Sequence, residues 1–407
     1  MGRAKHEWIE AEERGWSAPE GFVCEDCVDD PYLKQVIARN LASRKCNFCG
    51  QGSRGYIAAS VEALMPDIAG AVFYFYNDPT HAGMPWDEGP LFRGVSTEDA
   101  LMSLPLNCHD ELFEAVAEAF SFTEWVRSAG GHWSSSHDHE ILKDSWHSFV
   151  TAVKHQTRFH FHQANLSDLA GPQELEPGHV LAAIGRLVTE VDLIGRVSTG
   201  TVLHRCRTKA SDAEWEPNAS TMGAPPPEKA RAGRMNPAGI SYLYCALEEK
   251  TALGETLSAP PVEVAVAAFV VNEPLTVLDL CSLPPAPSIF DGAARATLEA
   301  LKFLDSFVSE IATPVKKDGS EHIDYVPSQV VCEWFAQVFR PSSDSAHLDG
   351  ILYPSSVVPG GRNLVVFPTE RALHRAFGKV SYQGSFVRSL SNWELVLQNV
   401  VPTGPQT

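Results

Sequence analysis

The sequence predicts a multidomain protein with a small cysteine-rich module at the N-terminus, a mostly α-helical region, and a C-terminal α+β region. Three observations support this fold class. Two Cys-x2-Cys pairs lie within the first 50 residues, apolar residues at helical spacing fill the rest of the first half, and short β-type runs alternate with helices in the second half. The chain of 407 residues has room for two or three domains. We therefore place the domains at residues 1–50, 51–196 and 197–407.

The N-terminal module is defined by Cys24-x2-Cys27 and Cys46-x2-Cys49, two pairs with 18 residues between them. This spacing is typical of a tetrathiolate zinc site. Four thiolates satisfy tetrahedral Zn²⁺ and leave no position open for water, which indicates a structural metal and not a catalytic one. The alternative of four unrelated thiols is weaker, because the other five cysteines show no such pairing.

The region that follows is predicted to be mostly helical behind this module. Apolar residues at positions such as Leu112, Val116 and Phe120 repeat with the period of an amphipathic helix. The helices are predicted at residues 57–76, 110–128, 139–161 and 176–194, and the Pro- and Gly-rich stretch 77–94 is predicted to be a loop.

The hydrophobic pattern changes near residue 195. Short apolar runs separated by loops replace the long stretches with helical periodicity. The run 262–271 indicates a buried strand. Pro327 stands where a helix can begin without losing a hydrogen bond. Strands are predicted at 201–207, 242–247, 262–271, 275–280, 351–353, 364–367 and 393–398, and helices at 249–257, 293–311 and 327–339.

Charge limits the partners that this chain can bind. The net charge is −19, and the residues before 197 hold 15 basic against 29 acidic side chains. A surface that follows nucleic-acid phosphates needs the opposite sign, so generic DNA or RNA binding is disfavoured. A small anionic ligand remains compatible, because two or three well-placed arginines suffice for it.

Composition also predicts the compartment. No apolar run approaches the 18 or so residues of a membrane helix, so no membrane partner is expected. The charged N-terminal sequence does not resemble a secretory signal, and the odd number of cysteines argues against a disulfide framework. We expect a cytoplasmic protein.

The C-terminal region carries an ordered set of polar residues. An Arg- and Gly-rich segment precedes a strand with a central tyrosine, a helix with a glutamate follows, and a Pro-Ser pair comes much later. The set consists of Arg205 in His204–Arg207, then Arg234, Tyr244, Glu255, the segment 324–329, Ser355 and Asn363. This order resembles the RES domain family over residues 197–395. The resemblance implies a fold similar to ADP-ribosyltransferase toxins and the consumption of NAD⁺ by hydrolysis or phosphorolysis.

The resemblance also implies site roles. Arg234, Tyr244, Glu255 and Ser355 take the catalytic positions, and Arg205, Arg234, Tyr244 and Asn363 take the positions that bind NAD⁺. A carboxylate at Glu255 can stabilise a ribose cation by its charge. A planar guanidinium at Arg234 or Arg205, which is always charged, can bind the diphosphate through two N–H groups. Tyr244 offers its ring or hydroxyl to the nicotinamide or its ribose. Ser355 offers a hydroxyl and is not expected to be a covalent nucleophile, because no base is visible beside it.

The helical half, notably residues 146–161, resembles the HEPN-like module that precedes RES domains. Many HEPN proteins are ribonucleases with an Arg-x4–6-His motif, and Arg127 and His132 have that spacing, although Gly130-Gly131 interrupts it. We therefore expect a regulatory or assembly role. The His137/His139 and His160/His162 pairs are not expected to bind metal, since residues two apart diverge on a helix.

The predicted function is that of an NAD⁺-degrading enzyme, a glycohydrolase or phosphorylase, acting as a toxin or defence effector with a regulatory N-terminal half. ADP-ribosyl transfer to a macromolecule, a HEPN-type ribonuclease and a non-catalytic binding module are the alternatives. The expected partners are NAD⁺, an antitoxin or regulatory protein, and further copies of the chain.

Overall fold

The chain forms two compact units, each built from two separate stretches of sequence. Unit 1 comprises Met1–Ile141 and Pro285–Lys302, and unit 2 comprises Leu142–Pro284 and Phe303–Thr407. The predicted boundaries at residues 50 and 196 stay a prediction. The structure, a computed structural model, describes residues 3–85, 94–164, 166–209, 215–257, 262–313, 315, 318–342, 346–368 and 378–390.

Unit 1 combines helices with two small antiparallel sheets, whose strand orders are β1-β3-β2 and β4-β6-β5. Helix α6 (Asp138–His155) begins in this unit, and the first part of α10 (Arg295–Ala312) belongs to it. The helices that lie wholly in unit 1 are α1 (Arg3–Arg14), α2 (Pro31–Arg39), α3 (Met65–Phe75), α4 (Thr97–Ser103) and α5 (Asp110–Ala119). The strands are β1 (Phe22–Cys24), β2 (Leu41–Ser43), β3 (Ala58–Ser60), β4 (Tyr76–Asn77), β5 (Val95–Ser96) and β6 (Glu124–Arg127).

Helix α2 shows how the sequence specifies an element beside the cysteines. The Asp30 side chain accepts hydrogen bonds from the backbone amides of Tyr32 and Leu33, and Pro31 occupies the first turn. Both features are characteristic of a helix start. Leu33 and Ile37, one helical turn apart, are fully buried, so this face of α2 joins the core of unit 1.

The predicted helix at 110–128 is wrong in its second half. Helix α5 ends at Ala119, and the chain then forms strand β6, which pairs with β4 and β5. Trp125 on β6 is fully buried, and its ring meets the Phe73 ring edge-on at 5.4 Å. Aromatic packing between distant segments outweighs the local helical period here.

Unit 2 is built on one eight-stranded mixed sheet. Its order is β14-β10-β8-β9-β13-β12-β11-β7, and β11 with β12 is the parallel pair. Its helices are α7 (Pro177–Glu190), α8 (Ala219–Met222), α9 (Glu249–Thr256), α11 (Glu321–Asp324) and α12 (Val326–Gln337). Its strands are β7 (Ile194–Val197), β8 (Val202–Lys209), β9 (Leu243–Ala246), β10 (Val262–Val271), β11 (Leu275–Asp279), β12 (Gly350–Pro354), β13 (Arg362–Val366) and β14 (Val380–Leu390).

The strand and helix predictions for this half agree closely with the structure where residues are described. Strand β10 has the predicted bounds, Val262–Val271. The strand predicted at 393–398 lies outside the described residues. Strand β14 was not predicted, because Val380–Leu390 is rich in polar residues and contains Gly384. It pairs with the long apolar strand β10, with a register shift at Ala268/Phe269.

None of the helices within the described residues is both long and apolar enough to cross a bilayer. All nine cysteines lie within the described residues, and each is a free thiol.

Candidate active site

A cleft of about 520 Å³ in unit 2 brings the predicted site residues together. It opens beside the central strands β8, β9, β12 and β13 and helix α9. Its lining includes Arg205, Arg234, Tyr244, Glu255 and Asn363. The sixth predicted residue, Ser355, adjoins the cleft through a hydrogen bond to Glu255.

The carboxylate of Glu255, near the end of α9, is held by one of its two oxygens. Oε1 accepts a hydrogen bond from Ser355 Oγ and another from Asn363 Nδ2, both at 2.7 Å. Asn363 is buried on β13, whereas Glu255 is exposed. The described residues donate no hydrogen bond to Oε2, so one oxygen of this cleft-lining carboxylate is fixed and the other keeps its acceptor capacity.

The Ser355 hydroxyl is fully engaged. It donates to Glu255 and accepts from the backbone amides of Val357, at 3.2 Å, and Val358, at 3.0 Å. No base beside Ser355 is visible in the sequence, yet the structure has the Glu255 carboxylate next to it. Because both lone pairs of the oxygen are occupied, the arrangement suits a positioning role for Ser355 and not nucleophilic attack.

Arg234 is anchored to the end of a helix. Its Nη1 donates to the carbonyl oxygens of Ala312, at 2.7 Å, and Ile311, at 3.3 Å, at the C-terminus of α10. Its Nη2 contacts Ser356 Oγ at 3.3 Å. A cation at a helix C-terminus satisfies unpaired carbonyls, and a guanidinium has five N–H donors, so some remain for a ligand.

The Tyr244 hydroxyl has hydrogen-bond partners within the protein, and its predicted contact with a ligand stays a prediction. The hydroxyl donates to Asn236 Oδ1 at 2.6 Å and accepts from the Met235 amide at 3.0 Å. Burial raises the pKa of this phenol, so it stays a donor. The two N–H groups of Asn236 Nδ2 are in turn shared among the carbonyl oxygens of Arg231, Pro237 and Ile240, which lie 2.9, 3.0 and 2.8 Å away. Tyr244 therefore fixes the shape of the 231–240 loop.

Gly233 in this loop has no room for a side chain. A Cβ there would lie 2.8 Å from Asn236 Oδ1 and 3.0 Å from Tyr244 Oη. We expect Gly233→Ala to break the Tyr244–Asn236 hydrogen bond and to cost about 1–3 kcal/mol of stability, the usual range for overpacking. Thermal unfolding measures the loss. Gly195→Ala is the control, since its Cβ would make ordinary contacts with Asp279, and equal melting temperatures for the two variants would refute the prediction.

Arg205 lies on strand β8, next to strand β9 in the sheet. These strands pair through His204 and Ala246, and Arg205 Nη1 donates to the neighbouring carbonyl oxygen of Tyr244 at 2.9 Å. Burial lowers the pKa of this guanidinium. Its Nε is buried and has no hydrogen-bond partner among the described residues, so Arg205 retains a donor.

Sequence reasoning assigned no role to three buried polar residues that support the site. Besides Asn236, these are Ser328, which donates to the Arg234 carbonyl at 2.6 Å, and Gln329, which donates to the Gly233 carbonyl at 2.8 Å. Both lie in the first turn of α12, within the segment 324–329 that carried part of the family resemblance. A helix start with two adjacent polar residues among apolar ones was the available signal.

The four cysteines of the N-terminal module form a cluster whose geometry fits a tetrahedral metal ion. All four sulfurs lie within 4.8 Å of one another, with Sγ–Sγ distances such as 3.8 Å for Cys24–Cys27 and 3.6 Å for Cys27–Cys46. Zn–S bonds of about 2.3 Å in a tetrahedron give S–S distances of about 3.8 Å. Within the described residues this is the one group of three or more possible ligands close enough to hold an ion.

The protonation of these thiols also differs within the cluster. Burial raises the pKa of Cys24 to about 11. Burial would raise that of Cys46 too, but hydrogen bonds with the backbone at Cys49, Cys24 and Phe48 outweigh it and lower the pKa to about 7. Backbone hydrogen bonds of this kind stabilise a thiolate, the form that binds metal.

Among the described residues, the histidine motifs of the first half form neither a further metal cluster nor an Arg–His pair on a helix. Arg127 lies at the end of β6 and pairs with Glu140 at 3.0 Å, while His132 follows the Gly130-Gly131 turn and contacts Ser134. The Arg–His spacing therefore falls on a strand and a turn, and not on a helix.

His139 lies close to a carboxylate, with its Nδ1 2.6 Å from Glu299 Oε2. The His137 and His139 rings lie 6.1 Å apart. No third metal-ligating group joins this pair among the described residues.

Comparison with known families agrees with this architecture. The RES domain matches residues 202–388, and HEPN/RES N-terminal domain 1 matches residues 39–167. The chain therefore carries a HEPN/RES N-terminal domain ahead of a RES domain. RES domains are associated with NAD-related, toxin-like enzymatic activity. No curated protein matches the chain.

Proposed function

We propose that this protein is an NAD⁺-degrading enzyme that cleaves the bond between nicotinamide and ribose, as a glycohydrolase or a phosphorylase. The observation that carries the proposal is the Glu255 carboxylate, which lines the cleft and is held through one oxygen by Ser355 and Asn363. The cleft also contains two guanidinium groups, Arg205 and Arg234, which match a dinucleotide with a central diphosphate.

Cleavage of the nicotinamide–ribose bond requires a group that stabilises the ribose cation, and it does not require a general acid for the leaving group. Nicotinamide leaves as a neutral base, so its departure needs no proton. The ribose that remains acquires oxocarbenium character, as in glycoside cleavage. A fixed carboxylate beside it stabilises this charge. Water or phosphate then adds to the anomeric carbon and loses a proton, giving ADP-ribose or its 1″-phosphate.

Arg234 is proposed to bind the diphosphate while it remains attached to α10. The diphosphate charge is the same in the ground and transition states, so the interaction contributes to binding as well as to rate. We expect Arg234→Ala to weaken NAD⁺ binding by about tenfold or more and to lower turnover as well. Equilibrium binding and steady-state rates on folded protein measure both. Arg186→Ala, an exposed arginine outside the cleft, is the matched control.

Unchanged NAD⁺ affinity in folded Arg234→Ala would contradict this assignment. In that case the only role of Arg234 would be to cap the C-terminus of α10, a contact that does not depend on a ligand. A stability measurement on the same variant separates the two roles.

The direct test of the function is product identification. NAD⁺ labelled in its adenosine is incubated with the full chain, with and without inorganic phosphate. Free ADP-ribose indicates hydrolysis, and its 1″-phosphate in the presence of phosphate indicates phosphorolysis. Label in protein or nucleic acid would instead indicate ADP-ribosyl transfer, and intact NAD⁺ would refute the proposal. RNA cleavage retained in Glu255→Ala would favour a HEPN-type ribonuclease.

The remaining parts of the proposal concern the N-terminal half. We propose that the cysteine cluster binds one structural Zn²⁺ and that the HEPN-like helices regulate or assemble the enzyme. This role in a cytoplasmic toxin or defence effector implies an antitoxin or regulatory partner and a homo-oligomer. The RES sheet is proposed to resemble the ADP-ribosyltransferase fold. Mass measurement of the native protein tests the assembly.

A further inference from the structure

A second cleft lies beside the candidate active site in unit 2. It has a volume of about 950 Å³, and Arg205 and Tyr244 contribute to the walls of both clefts. The intervening loop contributes an arginine to each cleft, Arg234 to the first and Arg231 to the second. The two clefts are therefore neighbours that share two lining residues.

The charge of this second cleft is opposite to that of the chain. Its lining contains four basic residues against a single acidic one, Glu228. The whole chain has a net charge of −19, so a basic cleft is a local exception. The basic residues are Arg205, Arg207, Lys229 and Arg231. Clustered cations of this kind raise the local concentration of anions and bind phosphate groups.

Buried polar atoms provide a second, independent observation. Tyr242 lines the cleft and is 2% exposed, and its hydroxyl has no hydrogen-bond partner among the described residues. Arg205 Nε is likewise buried without a partner there. Leaving such a group unpaired costs about 1–3 kcal/mol. Both atoms are donors, so a ligand rich in acceptor oxygens would satisfy them.

We propose that this cationic cleft, lined by Arg205, Arg207, Lys229, Arg231 and Tyr242, is a binding site for a phosphate group. The phosphate belongs either to the dinucleotide itself, whose diphosphate would extend past Arg205, or to a separate phosphate-bearing molecule. The proposal goes beyond the cleavage reaction, because phosphate binding here does not require Glu255 to act.

The test reverses two exposed charges of the cleft. The double variant Lys229→Glu/Arg231→Glu is compared with Arg186→Glu/Arg196→Glu, which makes the same charge change at two exposed arginines of unit 2 that do not line the cleft. Both are made in the full chain carrying Glu255→Gln, so that NAD⁺ is not consumed. Inorganic phosphate, ADP and NAD⁺ are titrated calorimetrically into each protein.

The expected result is a rise of at least about tenfold in Kd for one probe class in the cleft variant alone, equivalent to about 1.4 kcal/mol. A rise for NAD⁺ and ADP places the dinucleotide's own diphosphate in the cleft. A rise for inorganic phosphate with unchanged NAD⁺ affinity indicates a separate ligand. Changes below twofold for all three probes would overturn the proposal.

Two comparisons keep the outcome interpretable. The neutral variant Lys229→Gln/Arg231→Gln should give a smaller rise in the same direction, and it serves if the reversed charges disturb folding. Phosphate binding that depends on the cleft, in a protein whose wild-type form leaves NAD⁺ intact, would uphold this inference while refuting the proposed function.

Discussion

Glu255→Gln is expected to lose about 10²–10³-fold in NAD⁺ turnover, the usual cost of removing one preorganised electrostatic partner. The amide oxygen of glutamine can still accept from Ser355 and Asn363, so the side chain keeps its place while its charge is lost. The ribose cation exists only near the transition state. Binding of NAD⁺ should therefore stay within about tenfold of the wild type.

The measurement is a comparison of kcat and Kd on folded protein. Glu249→Gln is a matched control, because it makes the same change on the same helix at a residue that pairs with Arg388 at 2.9 Å instead of lining the cleft. It should keep normal turnover, since a partly exposed ion pair of this kind contributes little to stability. Near-normal turnover in Glu255→Gln would show that another group stabilises the cation.

Cys46→Ser is expected to abolish zinc binding and to destabilise unit 1. Cys46 is fully buried, and its sulfur lies 3.6 Å from that of Cys27. Wild-type protein should hold about one zinc per chain, as a closed four-thiolate site requires. Because a structural zinc site forms only in the folded state, losing the ion removes several kcal/mol of folding free energy. A chelator should lower the melting temperature of the wild type for the same reason.

Native mass spectrometry and thermal unfolding report on both effects without an activity assay. Cys108→Ser provides the comparison, since Cys108 belongs to unit 1 but not to the cluster, and it should keep the metal. Well-folded wild-type protein without zinc would contradict the prediction. So would a Cys46→Ser protein that keeps the ion.

The candidate site residues were proposed from the sequence, and most of them line one cleft of the structure, but their mutual contacts could not be predicted. The order of Arg234, Tyr244 and Glu255 supported the family resemblance. Ser355 lies 100 residues beyond Glu255, and only the folded sheet shows that the two side chains are 2.7 Å apart. The contact of Tyr244 with a ligand stays a prediction, and the hydrogen bond from its hydroxyl to Asn236 was not predicted, because it depends on how the loop before the strand folds.

In the fold, too, elements with a local sequence pattern were predicted, and elements that depend on contacts between distant segments were not. Strand β10 was predicted to the residue, because its apolar run is local, and helix α9 was predicted nearly to the residue. Strand β6 was missed because its register is decided by packing against Phe73, some 50 residues earlier. The segment Pro285–Lys302 belongs to unit 1 with no change of composition to mark it, so contiguous boundaries were the simplest prediction.

Because each unit consists of two separate stretches of sequence, neither unit can finish folding until its second stretch has left the ribosome. Domains fold as their sequence emerges. Phe290, which is almost completely buried in the core of unit 1, is synthesised after seven tenths of the chain, so that core is incomplete until then. Glu255 also emerges long before Ser355 and Asn363. A nascent or prematurely terminated chain that ends before residue 355 therefore carries Glu255 without either of its donors.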